Sequence, residues 1–455
     1  LGIRLTTFIC LNYLKGGRAM IQKAVIYSIL LAMALSPVIK VSDIAPEESE
    51  ESATVEVVSD MEKTIPPVDD YLDNPLLRLQ WGTGYSSEDY SEIAKELVSR
   101  YPDILAYKSI GYSHDGKEIY SIVMTEDVNK AVGRDDFRTF RMHYLIDAGV
   151  HGRETVNPAI LIKQIEDYAA DYYKDSHIRD FNLRDILSKS VFHFVPLVNP
   201  DGHDLAKFGF ASLDSDSARD RLSSIEDKDY SQWKANALGV DLNKNFPDFY
   251  LQDGANGLTD KWQVYPGDFY SMNPAGEYYP GTSPGSEPET RALMEYMKSF
   301  DFRSYVSYHS RGNIVYYEYN WYPESYRSNS LELAQKTREV TGYRLIPDTG
   351  AGSGYSTSYH AALSLKPSLT VETLSYYTDL PSGNDTYLEA YERTWLLPLH
   401  YQLLGESTGY FPYRLYVDGK YVRDYPDEAY ARAIARSLGG EIILGEGVPE
   451  QIINK

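Results

Sequence analysis

Three apolar runs in this chain each end on a residue type that binds metal or moves protons. Tyr144-Leu145-Ile146-Asp147-Ala148-Gly149-Val150 leads into His151-Gly152-Arg153-Glu154, Val306-Ser307-Tyr308 into His309-Ser310, and Leu369-Thr370-Val371 into Glu372. Short apolar runs bounded by turn residues read as buried strands. Between and around them lie segments of helical spacing, predicted at 86–100 with Ser87 as N-cap, and at 156–173, 286–300, 331–341 and 387–404. Further strands are expected at 106–112, 118–125, 191–198 and 304–309. Strands alternating with helices predict an α/β protein, a sheet with helices on both faces, in which ligands collect beyond the strand ends.

The chemistry at those ends is specific. An imidazole and a carboxylate two residues apart, His151 and Glu154, can converge on one cation, although a lone His-x-x-Glu also suits a salt-bridged helix start. Zinc favours such nitrogen and oxygen donors, and a catalytic zinc keeps three protein ligands with its fourth position left to water. His309 supplies a third ligand, and Glu372 is an acid suited to be a base. The remaining histidines, such as His143, His193 and His360, read as packed or exposed side chains.

Two further blocks lie between the ligands: Asn199-Pro200-Asp201-Gly202 and Gly239-Val240-Asp241-Leu242-Asn243-Lys244-Asn245. The ordered set from about residue 85 to 404 resembles the zinc metallocarboxypeptidase family of the carboxypeptidase A type. That resemblance implies a mixed, mostly parallel central sheet with helices on both faces. It also implies one Zn²⁺ per chain held by His151, Glu154 and His309, with Glu372 as the catalytic base. Bound zinc would polarise a carbonyl and lower the pKa of its water to about 7. Arg153 would bind the substrate's backbone carbonyl, and Asp241 would orient a zinc-binding imidazole.

Three positions depart from the family pattern. Lys234 stands where an arginine commonly stabilises the oxyanion, which keeps the cation but with less directional donation. Asn243-Lys244 replaces the Asn-Arg pair that grips a terminal carboxylate, so a point charge takes the place of a bidentate fork. The mobile tyrosine of the exopeptidases aligns near Gly350, with Tyr355 as a displaced substitute. Trp233-Lys234-Ala235-Asn236, Ser286-Glu287-Pro288-Glu289-Thr290-Arg291 and Tyr308-His309-Ser310-Arg311-Gly312 resemble the bacterial γ-D-glutamyl-L-diamino-acid endopeptidases, whose substrates are peptidoglycan stem peptides. Arg311 stands where that branch often carries Gln.

Composition narrows the partners. A formal net charge of -22 over 455 residues repels nucleic acid and anionic membrane surfaces, leaving a cationic partner or plain solubility. The only cysteine is Cys10, which excludes an intramolecular disulfide, a cysteine zinc site and a thiol nucleophile. Met20-Ile21-Gln22-Lys23 followed by the apolar stretch 24–35 has the form of a bacterial secretory signal, with Ala32-Met33-Ala34 as the cleavage motif; an uncleaved anchor is the alternative. Residues 1–42 are thus expected to be upstream and signal sequence, 43–70 an acidic linker, 71–405 the catalytic domain, and 411–455 a small α+β appendage.

The function expected from these features is an exported zinc metallopeptidase, secreted or associated with the cell envelope. It would act on peptides or muropeptides and carry no stable membrane span in its mature form. A secreted carboxypeptidase of ordinary peptides and a noncatalytic wall-binding protein are the alternatives. Lys234, Lys244 and Arg311 are expected to form a cationic rim on the substrate side of the zinc, complementary to an acidic peptide. Oligomeric state is left open.

Overall fold

The computed structural model describes residues 84–449 apart from 129–140, 175–176, 226–228, 252–257, 261–269, 320, 349–353 and 376–383. The signal-like region 1–42 and the acidic linker 43–70 lie outside the described residues. The first described element is helix α1, Ser87–Arg100. Ser86, rather than Ser87, is its N-cap: its hydroxyl accepts from the Asp89 amide while the Asp89 carboxylate accepts from the Ser86 amide, a reciprocal capping box. Ser87 instead bonds Asp204 through both its amide and its hydroxyl.

Eight strands build the central sheet: β1 Leu105–Tyr112, β2 Glu118–Met124, β3 Met142–Ala148, β4 Ser190–Val195, β5 Phe302–Ser310, β6 Ile314–Tyr319, β7 Arg344–Asp348 and β8 Ser368–Thr373. Their spatial order is β1-β2-β4-β3-β5-β8-β6-β7. Strands β4, β3, β5 and β8 run parallel as neighbours, and β6 pairs parallel with β7; the β1–β2, β2–β4 and β8–β6 pairings are antiparallel. The sheet is therefore mixed and mostly parallel, as the sequence implied. Strand β4 ends at Val195, short of the predicted 198, because Pro196 has no amide to continue the ladder.

Both faces are covered, which follows from the two-residue period of a strand. Tyr144, Ile146, Val306, Tyr308, Leu369 and Val371 share one core with α1 and with helices α2 Val156–Lys174, α5 Glu324–Thr341, α7 Asn384–Thr394 and α8 Leu397–Thr408. Leu145, Val195, Phe302 and Tyr305 belong to a second core with α4 Pro288–Ser299 and α6 Ser356–Ser364; α3, Pro200–Phe208, follows β4. His143, His193 and His360 are packed side chains: His143 and His193 meet at 2.9 Å, and His360 meets the Ser368 hydroxyl at 2.7 Å.

Two helix expectations change. The single helix predicted at 387–404 is two, because Pro398 lacks the amide that would bond Thr394 and its ring would crowd that carbonyl. Helix α5 begins at Glu324, about two turns before the predicted 331. Its buried stripe includes Tyr326, Ser330, Thr337 and Thr341, and the hydroxyl residues masked the apolar period.

After α8 come hairpin β9 Tyr413–Val417 and β10 Lys420–Tyr425, helix α9 Glu428–Leu438 with Asp427 as its N-cap, and edge strand β11 Glu441–Leu444. These form a three-stranded antiparallel sheet in the order β10-β9-β11. They belong to the same compact unit as the large sheet, residues 66–455. No helix among the described residues is long and apolar enough to cross a membrane.

Candidate metal centre and substrate cavity

The catalytic candidates gather at the carboxyl ends of three adjacent parallel strands, β3, β5 and β8. Glu372 lies directly opposite His309 in the β5–β8 register, and Ala148 opposite Tyr308 in β3–β5. The chain then leaves β3 through Gly149, whose φ of +65 places it in the left-handed region that favours glycine. Gly152 must also be glycine, since a Cβ there would lie 2.2 Å from the Gly202 carbonyl oxygen.

Asn199 holds this turn in place. Its side-chain oxygen accepts from the Gly202 amide and caps α3, while its amide group donates to the carbonyls of Val150, Lys234 and Ala235. The Asn-Pro-Asp-Gly block is thus a brace between the ligand turn and the loop that carries Lys234. Its sequence signal was the capping pattern of Asn followed by Pro at the first helical position.

His151 Nδ1 lies 2.8 Å from Glu154 Oε1 and 3.2 Å from His309 Nδ1, and His309 Nδ1 lies 3.1 Å from Glu154 Oε2. Donors on a tetrahedral zinc with bonds of about 2.0–2.2 Å sit roughly 3.3–3.6 Å apart, so the trio, at 2.8–3.2 Å, needs to open by only about half an ångström to hold zinc. The donor atoms come from two imidazoles and one carboxylate, all but closed off from solvent. His151 turns its outer nitrogen, Nε2, to Asp241 Oδ1 at 3.2 Å. Asp241 in turn accepts from the Asn243 and Tyr278 amides. Such a carboxylate fixes the tautomer and ring orientation of a metal-binding imidazole.

Electrostatics at the cluster are strong. Burial works against ionising Asp241, yet the neighbouring His151 and Lys234 hold it well below the ordinary carboxylate range. Burial, and then the nearby charge of Glu154, push Glu372 up to about 7, a value suited to a group that takes and returns a proton near neutrality. Lys234 keeps its charge: burial opposes it, but Asp241 and Glu154 raise its pKa.

A cavity of about 390 Å³ opens beside the cluster. His151, Asp241 and Glu372 line it at the metal end, together with Lys234, Asn243 and Lys244. Tyr278, Tyr316, Tyr355, Thr357 and Thr370 contribute to its walls. Lys234 Nζ lies 3.4 Å from Glu277 Oε2 and 5.3 Å above the Tyr278 ring. Lys244 donates to the Tyr355 hydroxyl at 3.2 Å and lies 4.4 Å from that ring's centre. Asn243 Oδ1 accepts from the Ser356 amide. Tyr355 is therefore part of the cavity, while Gly350 lies outside the described residues.

Not every predicted residue reaches the cavity. Arg153 is half-buried on the ligand turn, its guanidinium 3.4 Å from the backbone and side-chain oxygens of Gln232. Arg311, just past the end of β5, is absent from the cavity lining, so the expected rim of three cations reduces there to Lys234 and Lys244. Thr370 and Tyr316 were missed. They are register partners across β8 and β6, and Thr370 lies two residues before Glu372 on the same strand face, a position the strand period alone could have flagged.

A second histidine-carboxylate group lies apart from this cavity. His114, Glu287 and Glu289 also bring their ligand atoms within 4.8 Å of one another. Here protein donors occupy the oxygens: Glu287 accepts from Ser286, His114 and Asn236, and Glu289 from the His114 backbone amide and Asn236.

The family model for zinc carboxypeptidases, peptidase M14, matches residues 90–384. The chain belongs to the zinc carboxypeptidase family. It is accordingly a zinc metallopeptidase, and the converging His151, Glu154 and His309 are a candidate donor set for that metal. A γ-D-glutamyl-L-diamino acid endopeptidase 1 of Lysinibacillus sphaericus is 26% identical over 322 residues, covering 69% of this chain and 73% of that protein. Bovine carboxypeptidase B2 is 27% identical over 257 residues, covering 56% of this chain and 51% of that enzyme, so the match spans about half of its length. Bovine thrombin-activatable fibrinolysis inhibitor, in a structure with tick carboxypeptidase inhibitor, superposes with a TM-score of 0.53 at 19% identity, covering 72% of this chain and 98% of that one. That likeness is one of fold.

Proposed function

We propose that this family member is an exported peptidase that hydrolyses acidic bacterial cell-wall peptides, stem peptides containing D-glutamate and a diamino acid. The observation that carries the reading is the pair of cations in the cavity: in a chain of net charge -22, the space beside the metal ligands presents Lys234 and Lys244 alongside the carboxylates Asp241 and Glu372. Cations facing a substrate cavity against the global charge suit a ligand that carries carboxylates. The endopeptidase relative of Lysinibacillus sphaericus supports the same substrate class.

Bound zinc supplies Lewis acidity, polarising a carbonyl and making water acidic enough to attack near neutral pH. The chain's own residues do the rest. Glu372, at the end of β8, takes the proton from attacking water and returns it to the leaving nitrogen. Lys234 faces the site where negative charge develops on the carbonyl oxygen. Asn243 and Lys244, in the same cavity, receive a substrate carboxylate. Asp241 keeps His151 in its ligand orientation.

The placement of Asn243, Lys244 and Tyr355 around one cavity also favours a second reading, removal of C-terminal residues from ordinary peptides. Incubating the purified protein with stem peptides and with carboxyl-blocked counterparts, and reading product masses, separates the two. Cleavage inside a muropeptide that survives amidation of its C-terminus supports the endopeptidase reading. Cleavage only of free C-termini, with neutral peptides accepted as well as acidic ones, overturns it.

A further inference from the structure

The sheet and helix that follow residue 411 grip one wall of the substrate cavity through a single helix. Helix α6, Ser356–Ser364, has nine residues, shorter than the roughly 12–15 at which an isolated helix becomes even marginally stable in water. It is buried almost throughout, and its N-cap residue, Tyr355, offers no side-chain cap. The backbone groups left over at both ends must therefore find partners from elsewhere in the fold.

At its first turn those partners belong to the cavity. The Ser356 amide donates to Asn243 Oδ1, the Thr357 hydroxyl meets Tyr319 at 2.6 Å, and Tyr355 packs on Lys244. Gly354, at φ +86, lies so close to Lys244 that a Cβ would come within 2.2 Å of its carbonyl oxygen. At its last turn the partners come from the C-terminal sheet and helix. Tyr430 donates to the Ala362 carbonyl at 2.6 Å, and Tyr425 donates to the Leu363 carbonyl at 3.0 Å. Arg423 reaches the Leu363 carbonyl as well as those of Met297 and Phe300. A guanidinium also suits the negative end of a helix.

This grip is anchored, because Arg303 at the start of β5 pairs with Asp424 through two bonds of 2.9 and 3.0 Å. Lys366, just past α6, bonds both Asp424 and Asp301, and Tyr421 donates to Asp301. Arg303, Lys366 and Asp424 are all buried, so breaking one partner strands a charge. Tyr425, Tyr430 and Ile434 share one apolar cluster with Ala361, Ala362 and the cavity residue Tyr319.

We propose that Arg423, Tyr425 and Tyr430 are positioning residues for substrate binding: they hold α6 by its last carbonyls and thereby set Tyr355, Thr357 and the Asn243 contact at its other end. The C-terminal module is then a working part of the cavity rather than an independent appendage. This rests on the reading that the cavity receives the substrate.

The test is the double variant Tyr425→Phe/Tyr430→Phe in the full chain, with Tyr430→Phe alone as the milder form should the double variant fold poorly. Arg432→Ala, an exposed position on α9 of the same module, is the control. The double variant should raise KM about three- to tenfold, the scale of one or two lost hydrogen bonds, with kcat and zinc content unchanged. Hydrogen exchange should quicken along 354–364, including the Ser356 amide, and stay as in the unaltered protein along 302–310. The control should alter neither. A lowered Tm with KM unmoved, or faster exchange confined to 360–364, overturns the proposal. If the unaltered protein cleaves neither acidic nor neutral peptides, the functional reading fails by itself, and the Ser356 amide still decides whether the two helix ends are coupled.

Discussion

Two clusters in this protein have nearly the same inventory and opposite characters. His151, Glu154 and His309 bring two imidazoles and a carboxylate together; His114, Glu287 and Glu289 bring one imidazole and two. At the first, the ligand atoms lie 2.8–3.2 Å from one another, two imidazole nitrogens face each other at 3.2 Å, and a single backbone amide, that of Ser310, also reaches Glu154 Oε2. Asp241 holds His151 from behind, and a cavity opens in front. At the second, Asn236 and Ser286 side chains and a backbone amide fill the carboxylate oxygens. Residue types at metal-binding distance do not distinguish a metal centre from a structural knot. The distribution of donors does, because a carboxylate already satisfied by N–H and O–H groups gains less from a cation.

Breaking the first cluster should have the largest effect. His309→Ala should lose zinc and hydrolysis together, whereas His114→Ala should keep one zinc per chain; metal analysis of both purified variants is the comparison. Zinc retained without His309, or lost without His114, would reverse the assignments. Glu372→Gln comes next, because the amide matches the carboxylate in size but cannot accept a proton. Turnover should fall on the order of 10² or more while zinc content and Tm hold, and near-normal hydrolysis would pass the role of base to another group.

Breaking the second cluster should show in stability rather than in metal. Asn236→Ala removes an amide that bridges Glu287 and Glu289 and accepts from the Leu238 and Val240 backbones. Unfolding free energy should drop by about 1–3 kcal/mol, the cost of leaving buried polar groups unpaired, with zinc still bound at full stoichiometry. A denaturation curve that does not move would mean that the knot is ornamental.

The smallest expected effect is a pH slope. Burial, and then the charge of Asp201, push Glu289 up to about 7; burial likewise raises Asp201 to about 6. In each case the folded state keeps a proton that the unfolded chain releases in the ordinary carboxylate range, so stability falls as pH rises from that range toward 7. His114 adds to this slope: burial opposes its charge, but Glu287 raises its pKa, and that stabilisation is also lost as pH rises. Glu287, held below its ordinary value by His114 and its hydroxyl and amide donors despite burial, contributes in the opposite sense at the acid end. Glu289→Gln should flatten the decline in Tm between about pH 5 and 7, the interval set by these shifts. An unchanged slope would place the titration elsewhere.

The sequence by itself determined the layered α/β fold and put forward the candidate ligand trio, because both are written in local patterns. Apolar runs of strand length ending in His, Glu or His-x-x-Glu need no tertiary information to be seen, and the ordered blocks carried the family resemblance. The glycine at 149 answers to local turn geometry, whereas the one at 152 answers to the close approach of Gly202 across the fold. Boundaries were less legible where a rule competed with the pattern, as at Pro398, or where hydroxyl residues sat on a buried stripe, as in α5. What only the tertiary structure decided was which side chains share a space. Thr370, Tyr316 and Tyr355 entered the cavity, Arg311 did not line it, Asn199 turned out to brace two loops, and the carbonyls of α6 met donors about sixty residues away in sequence. Sequence spacing constrains neighbours within a strand or helix through a fixed backbone period. It says nothing about separation across the fold, where packing of whole elements sets the distances on which binding and catalysis depend.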